Sequence, residues 1–275
     1  MNAQAAAKMA DTSAPMVLRE DKGGIAILTF NRPAARNSLS EAMLEALGTA
    51  LTQIAGERSV RVVILAANGP AFCAGHDLKE IDAHRKDADR GRAYFERIMA
   101  LCSQAMQQIV TLPQPVIAAV HATATAAGCQ LVASCDLAIA SQAAKFATPG
   151  VNIGLFCSTP MVALSRNVSR KHAMEMLLTG ELIAAEDAAR IGLVNRVVAP
   201  GSEQAAALAL AEKIAGKSTM TVKIGKEAFY RQAEMTLADA YKYASEVMVE
   251  NMLARDAEEG INAFVEKREP KWQDR

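Results

Sequence analysis

The chain has no surplus of either charge: 30 Lys and Arg stand against 30 Asp and Glu, and the pI is near 6.9. No global field draws it to nucleic acid or to an anionic membrane, so any basic site has to be local. Long apolar runs are missing as well. Stretches such as Val116 to Val120 fall far short of the about 18 residues that span a bilayer, so membrane insertion is not expected. The five cysteines, Cys73, Cys102, Cys129, Cys135 and Cys157, form no C-x-x-C and have no partner at zinc-ligand spacing. They read as reduced thiols, with no metal site. Residues 1–15 lack the apolar core of a signal peptide and are expected to form a disordered arm on a soluble, cytoplasmic protein.

Several catalytic signatures are absent. Among the 16 glycines no pair is spaced G-x-G, and none stands five residues before a Gly-Lys. There is no G-x-S-x-G elbow and no H-E-x-x-H helix. Hydride transfer on a dinucleotide fold, phosphoryl transfer and zinc hydrolysis thereby lose their usual machinery. His84 and His172 sit among Lys and Arg and are expected in solvent.

What is present is core material. Hydrophobic residues make up 51% of 275 positions, enough for two domain-lengths or one large α/β unit with an appendage. The run IAILTF at 25–30 predicts a strand, broken by Asn31, Arg32 and Pro33. Ser38 with Glu41 reads as a capping box for a helix whose stripe is Met43, Leu44, Leu47, Leu51 and Ile54. Val62 to Ala67 is apolar throughout, as a parallel strand covered on both faces would be. A mobile loop or helix over 79–92, a helix over 94–109 and strands at 116–120, 137–140 and 145–147 continue the alternation of βα crossovers. Beyond Ser202 only helical patterns remain, at 203–215, 220–232, 237–253 and 258–267. Their apolar faces, including Tyr241, Tyr243, Val247, Met248, Met252 and Phe264, favour docking on the first region or on another copy of the chain. Asp136, at the start of a strand, reads as a structural cap.

Two segments, AFCAGHDLKE at 71–80 and TATAAGCQL at 123–131, each end an apolar strand and open into small residues before a helix. Such junctions expose backbone N–H groups at a helix start, and two facing one cavity would make an oxyanion hole. Composition taken alone favours Gly75 and Gly128 serving only tight turns and close helix packing.

These segments resemble the two oxyanion-hole motifs of the crotonase (enoyl-CoA hydratase/isomerase) superfamily. Further similarity lies at Arg32, Pro33, Asn37, Ser38 and Leu39, at FATPGVNIGL, at LTGELIAAEDAARIGLVNRVV and at EGINAFVEKREP, so that it runs from about Val17 to Trp272. The G-H-D-L-K-E turn resembles one branch, the enoyl-CoA hydratase domain-containing proteins. The resemblance implies an α/β fold, a spiral of ββα units over residues 16–200 followed by a helical oligomerisation region over 201–275. It implies a homotrimer or a dimer of trimers, acting on an acyl-CoA thioester with no permanently bound cofactor, coenzyme A being part of the substrate.

By the same resemblance, the thioester carbonyl would be held by the backbone N–H groups of His76 and Ala127, beside Gly128. Ala35, Arg36, Ala74, Asp77 and Leu78 would line the adenine and pantetheine path. Arg36 and Lys79 would meet phosphates, although Lys79 is equally well read as a solvated loop lysine. Where relatives carry two catalytic glutamates, this chain has Gln130 and Gly150, neither of which exchanges a proton near neutral pH. Asn152, Cys157 and Ser158 wall the acyl pocket in this reading. Cys157 reads as a packed thiol, since nothing supplies it with a base. The backbone role of His76 is enough to explain its match. The expected function is therefore an enoyl-CoA hydratase-like enzyme of fatty acyl-CoA metabolism with an atypical site. The alternatives are a noncatalytic acyl-CoA binder and an acyl-CoA decarboxylase or thioester hydrolase.

Overall fold

The computed structural model describes residues 14–275. The arm expected at 1–15 therefore lies, except for its last two residues, outside the described residues. Strand β1 (Val17–Lys22) pairs antiparallel with β2 (Ile25–Phe30). Helix α1 (Glu41–Gly56) leads to β3 (Val62–Ala67), β4 (Ala71–Cys73), α2 (Leu78–His84) and α3 (Arg92–Thr111). The next unit is β5 (Val116–Val120), β6 (Thr123–Thr125) and α4 (Ala127–Ser134). After it come β7 (Leu137–Ser141), β8 (Lys145–Ala147), α5 (Ser158–Asn167), α6 (Arg170–Thr179), β9 (Ile183–Ala184), α7 (Ala185–Arg190) and β10 (Arg196–Val198).

Each repeat sends one strand to each of two sheets. The larger is ordered β1-β2-β3-β5-β7-β10 and the smaller β4-β6-β8-β9. Parallel pairing runs from β2 to β10 in the first and from β4 to β8 in the second. The spiral follows from this division, because every ββα turn advances both sheets by one strand.

The strands with no polar alternation are buried on both faces. Along β3, Val63 and Leu65 enter the main core with the stripe of α1, whereas Val62, Ile64 and Ala66 enter a second core on the opposite face. Helix α8 (Glu203–Ala215) covers that second face with Ala207 and Ala211. The first helix after residue 201 is thus part of the sheet's packing. The capping box is corrected: Ser40, not Ser38, accepts from Met43 N and caps α1. Ser38 is buried and turned toward Asp77 instead.

Helices α9 (Thr219–Gln232), α10 (Leu237–Met252) and α11 (Arg255–Glu266) follow. Neither α9 nor α10 buries a residue fully, and Tyr241, Met248, Met252 and Phe264 are exposed. The tie to the core is polar. Lys226 on α9 donates to Asp136 at 2.7 Å and to the carbonyls of Ile109 and Gln114, while Tyr230 donates to the other Asp136 oxygen at 2.9 Å. The same carboxylate accepts from Val116 N and so holds the start of β5. Burial pulls the Lys226 ammonium below its ordinary pKa, opposed by the charge of Asp136.

Substituting Lys226→Met leaves this largely buried carboxylate without its counter-ion. The expected loss is about 3–5 kcal/mol of unfolding free energy, read by urea denaturation.

Candidate functional site

Strands β4, β6 and β8 are neighbours and parallel, so their C-terminal ends share one edge of the small sheet. The segments 74–77, 126–130 and 148–150 leave from that edge, the position at which open α/β sheets characteristically bind ligands. Two glycines let the first two segments meet. Gly75 has φ +87°, and a Cβ there would lie 2.8 Å from Ala126 Cβ and 3.3 Å from Ala127 N. A Cβ on Gly128 would press on the Cys73 carbonyl and come within 2.8 Å of the Cys73 Cβ. Both glycines therefore do serve close packing, and that packing brings the two helix starts together.

The turn before α2 is fixed from outside. Leu39 N donates to Gly75 O at 2.8 Å, Asp77 N to Leu39 O at 3.3 Å, and Ala74 N to Arg36 O at 3.1 Å. Asp77 takes Arg32 Nη1 at 2.6 Å and Ser38 Oγ at 3.3 Å, and it caps α2 by accepting from Lys79 N at 3.0 Å. Burial opposes the charge on Asp77, yet the bonds from Arg32 and Lys79 N hold its carboxyl below the usual range. Asn37, at φ +52°, joins the same frame by donating to the carbonyls of Asn68 and Ala71 and accepting from Arg32 N. Ala126 N donates to Ala147 O at 2.9 Å and ties the second segment to β8.

Among the described residues, neither His76 N nor Ala127 N donates a hydrogen bond. Four side-chain atoms of the same three segments are buried without a partner: both ring nitrogens of His76, Gln130 Oε1 and Thr148 Oγ1. Thr148 escaped sequence reading. Its signal is a polar residue between an apolar strand end and Pro149.

The predicted site residues divide. Gly75 approaches Ala126 and Ala127 across the shared edge, Gly128 approaches Cys73, and Arg36 is joined to this turn by the bond from Ala74. Leu78 is 52% exposed at the start of α2, next to the exposed Lys79. Gly150 is buried, and a Cβ there would lie 2.8 Å from Leu155 O and 2.9 Å from Cys157 Sγ. Cys157 is a packed thiol that burial pushes above its ordinary pKa. Asn152 is exposed, its amide nitrogen 3.1 Å from where a Gly180 Cβ would stand, and Ser158 Oγ donates to Phe156 O at 3.3 Å. Asn152 therefore faces the end of α6. His84, expected in solvent, has a side chain 38% exposed, and its ring also stacks on Tyr94 at 3.8 Å and bonds Asp87 at 2.7 Å.

The sequence profile of the enoyl-CoA hydratase/isomerase family matches residues 20–275. The chain belongs to this family. It is 46% identical to the mitochondrial enoyl-CoA hydratase domain-containing protein 3 of Xenopus laevis, over 94% of this chain and 86% of that protein. With the human protein of that name identity is 47%, over 90% and 80%. Among solved structures, an enoyl-CoA hydratase of Mycobacterium smegmatis superposes with a TM-score of 0.90 at 53% identity, covering 94% of this chain and 99% of that one. The human domain-containing protein 3 gives 0.89 at 46%, covering 94% and 100%. The crotonase fold with its C-terminal helices is thereby shown.

Arg36 and Ala126 both carry a positive φ in the site, and Ala126 lies outside the left-handed helical region as well. Ala126 has φ +51° and ψ −121°, a region suited to glycine. Ala126→Gly is expected to gain about 1 kcal/mol by relieving this strain, and Gly128→Ala to lose about 2–3 kcal/mol through the contact with Cys73. Thermal denaturation of both variants checks the pair.

Proposed function

We propose that the protein binds an acyl-CoA thioester at this edge and holds its carbonyl oxygen between the backbone N–H groups of His76 and Ala127. The observation that carries the reading is a pair of N–H groups without acceptors, on two segments packed against each other. Donors aimed at a developing oxyanion contribute about 3 kcal/mol each to transition-state stabilisation. Crotonase relatives act on acyl-CoA thioesters, and enolate-like intermediates need this kind of cradle. Ala35, Ala74 and Leu78 border the pantetheine path, and the exposed Arg36 and Lys79 supply charge for phosphates.

The reaction class in this reading is enoyl-CoA hydratase-like, without the family's two glutamates. Gln130, in place of the first, can hydrogen-bond a water or the thioester but has no useful basicity. At Gly150, in place of the second, the close approach of Leu155 and Cys157 leaves no room for any side chain unless the loop moves. This lack of acid favours a second reading, a noncatalytic acyl-CoA binder. The exposed apolar faces of α9 to α11 support a homotrimer or dimer of trimers. Among the described residues no helix is long and apolar enough to cross a membrane. The cytoplasmic location expected from sequence does not clearly fit relatives named mitochondrial.

Crotonyl-CoA is expected to lose its conjugated thioester absorbance with the protein present. A rate equal to buffer, with coenzyme A thioester binding intact by calorimetry, replaces the hydratase reading by the binder. A positioned general base contributes about 10²–10⁴-fold, so Gln130→Glu should raise hydration at least about tenfold.

A further inference from the structure

We propose that the junction between α2 and α3 is a binding site for a phosphate-bearing small molecule, held by Arg85, Arg90 and Arg92 beside Phe95. The site stands independently of the thioester reading above.

Between the end of α2 and the first turn of α3 lies a cavity of about 490 Å³, walled by Arg85, Asp89, Arg90, Arg92, Phe95 and Glu96. Its size suits a small ligand. Arg85 follows the last residue of α2, Arg90 lies in the connecting turn and Arg92 opens α3, so three arginines line one space from three backbone positions. All three are exposed. The guanidinium carbon of Arg85 stands over the Phe95 ring, 5.7 Å from its centroid, which keeps that side chain against the cavity wall. Gly91, at φ +86°, makes room for the ring: a Cβ there would lie 2.7 Å from Phe95 Cζ and 2.8 Å from His84 O.

The two carboxylates in the wall are already bound. Asp89 accepts from Gly91 N at 2.9 Å and from Ala93 N at 2.8 Å, so its charge serves the start of α3. Glu96 accepts from Arg92 Nη1 at 3.3 Å. Asp87, next along the turn, bonds His84 Nδ1 at 2.7 Å. Among the described residues, neither Arg85 nor Arg90 forms a salt bridge. In a chain of zero formal net charge, this leaves two uncompensated guanidiniums beside one cavity.

Arg90 is also strained. Its φ of +60° lies in the left-handed region that glycine adopts more easily, and its N–H is tied to Asp87 O at 2.8 Å. Strain of this kind persists only where the surrounding structure holds it, and it collects at binding sites. Here the strained residue is one that lines the cavity. Two planar forks suit an anion with several oxygens and more than one charge, which is a phosphate or diphosphate, since a lone carboxylate satisfies only one of them. Two sources carry such a group: the phosphate end of coenzyme A and a separate phosphorylated metabolite.

The test titrates the full chain with inorganic pyrophosphate by calorimetry. Affinity is expected to fall at least about tenfold in Arg85→Gln and in Arg90→Gln, and further in the double variant. Pyrophosphate should also protect Arg85 and Arg90 of the wild-type protein from phenylglyoxal, mapped by mass spectrometry. That arm does not depend on a variant folding. Absence of binding at millimolar pyrophosphate overturns the proposal, as does undiminished affinity in the double variant, a loss confined to Arg36→Gln, or modification of both arginines unaffected by pyrophosphate. Saturating butyryl-CoA separates the sources: displacement of pyrophosphate assigns the site to the coenzyme, and unchanged binding assigns it to a separate metabolite. Both leave the site standing. A chain that binds pyrophosphate here but no acyl-CoA keeps this site and loses the thioester reading alone.

Discussion

The site depends on one close approach: the segment after β4 lies against the segment that opens α4, with no room for a side chain between them. Gly75 and Gly128 are the two points of contact, and at each a single added carbon would meet backbone or Cβ atoms at 3.3 Å or less. Interiors are packed too densely to absorb such an intrusion without displacement. Because the contact is backbone against backbone, it positions N–H groups rather than side chains. That is the arrangement a cradle for a carbonyl oxygen requires, and the proposed chemistry begins from it.

Around this contact the protein uses charge for construction and leaves the edge itself uncharged. Asp77, the carboxylate next in sequence to the site, is used up by Arg32, Ser38 and the start of α2. The edge is left with an imidazole, an amide oxygen and a hydroxyl, all buried and uncharged at neutral pH. Family membership carries the expectation of thioester chemistry, and the proposed reading sets Gln130 and Gly150 at the positions where two glutamates are expected. At Gly150 the close approach of Leu155 and Cys157 leaves no room for a side chain.

The same economy of charge holds the C-terminal helices. Asp136 joins β5 to α9 through Val116, Lys226 and Tyr230. Buried ion pairs are weak sources of net stability but make one docking geometry far better than its neighbours when every hydrogen bond is satisfied. The helices so fixed keep their apolar residues outward, with Phe264 85% exposed, which is the surface the proposed assembly would cover.

Much of this was legible in the amino-acid order because it is local. The β2 and β3 strands, the stripe of α1, the all-helical stretch after residue 201 and the two small-residue junctions follow from periodicity and from glycine and proline placement. The edge strand β1 was not, since VLREDK is exposed and has no buried face to impose alternation. Nor was the choice of Ser40 over Ser38 as the cap, which was decided when Asp77, 39 residues away, took the Ser38 hydroxyl. Thr148 and His76 could be read as residue types but not as orphans. Whether a buried polar atom has a partner depends on neighbours from other strands, and only the parallel ends of β4, β6 and β8 bring those neighbours to one place. Sequence determined which groups the edge can contain; tertiary packing decided which of them remain free to meet a ligand.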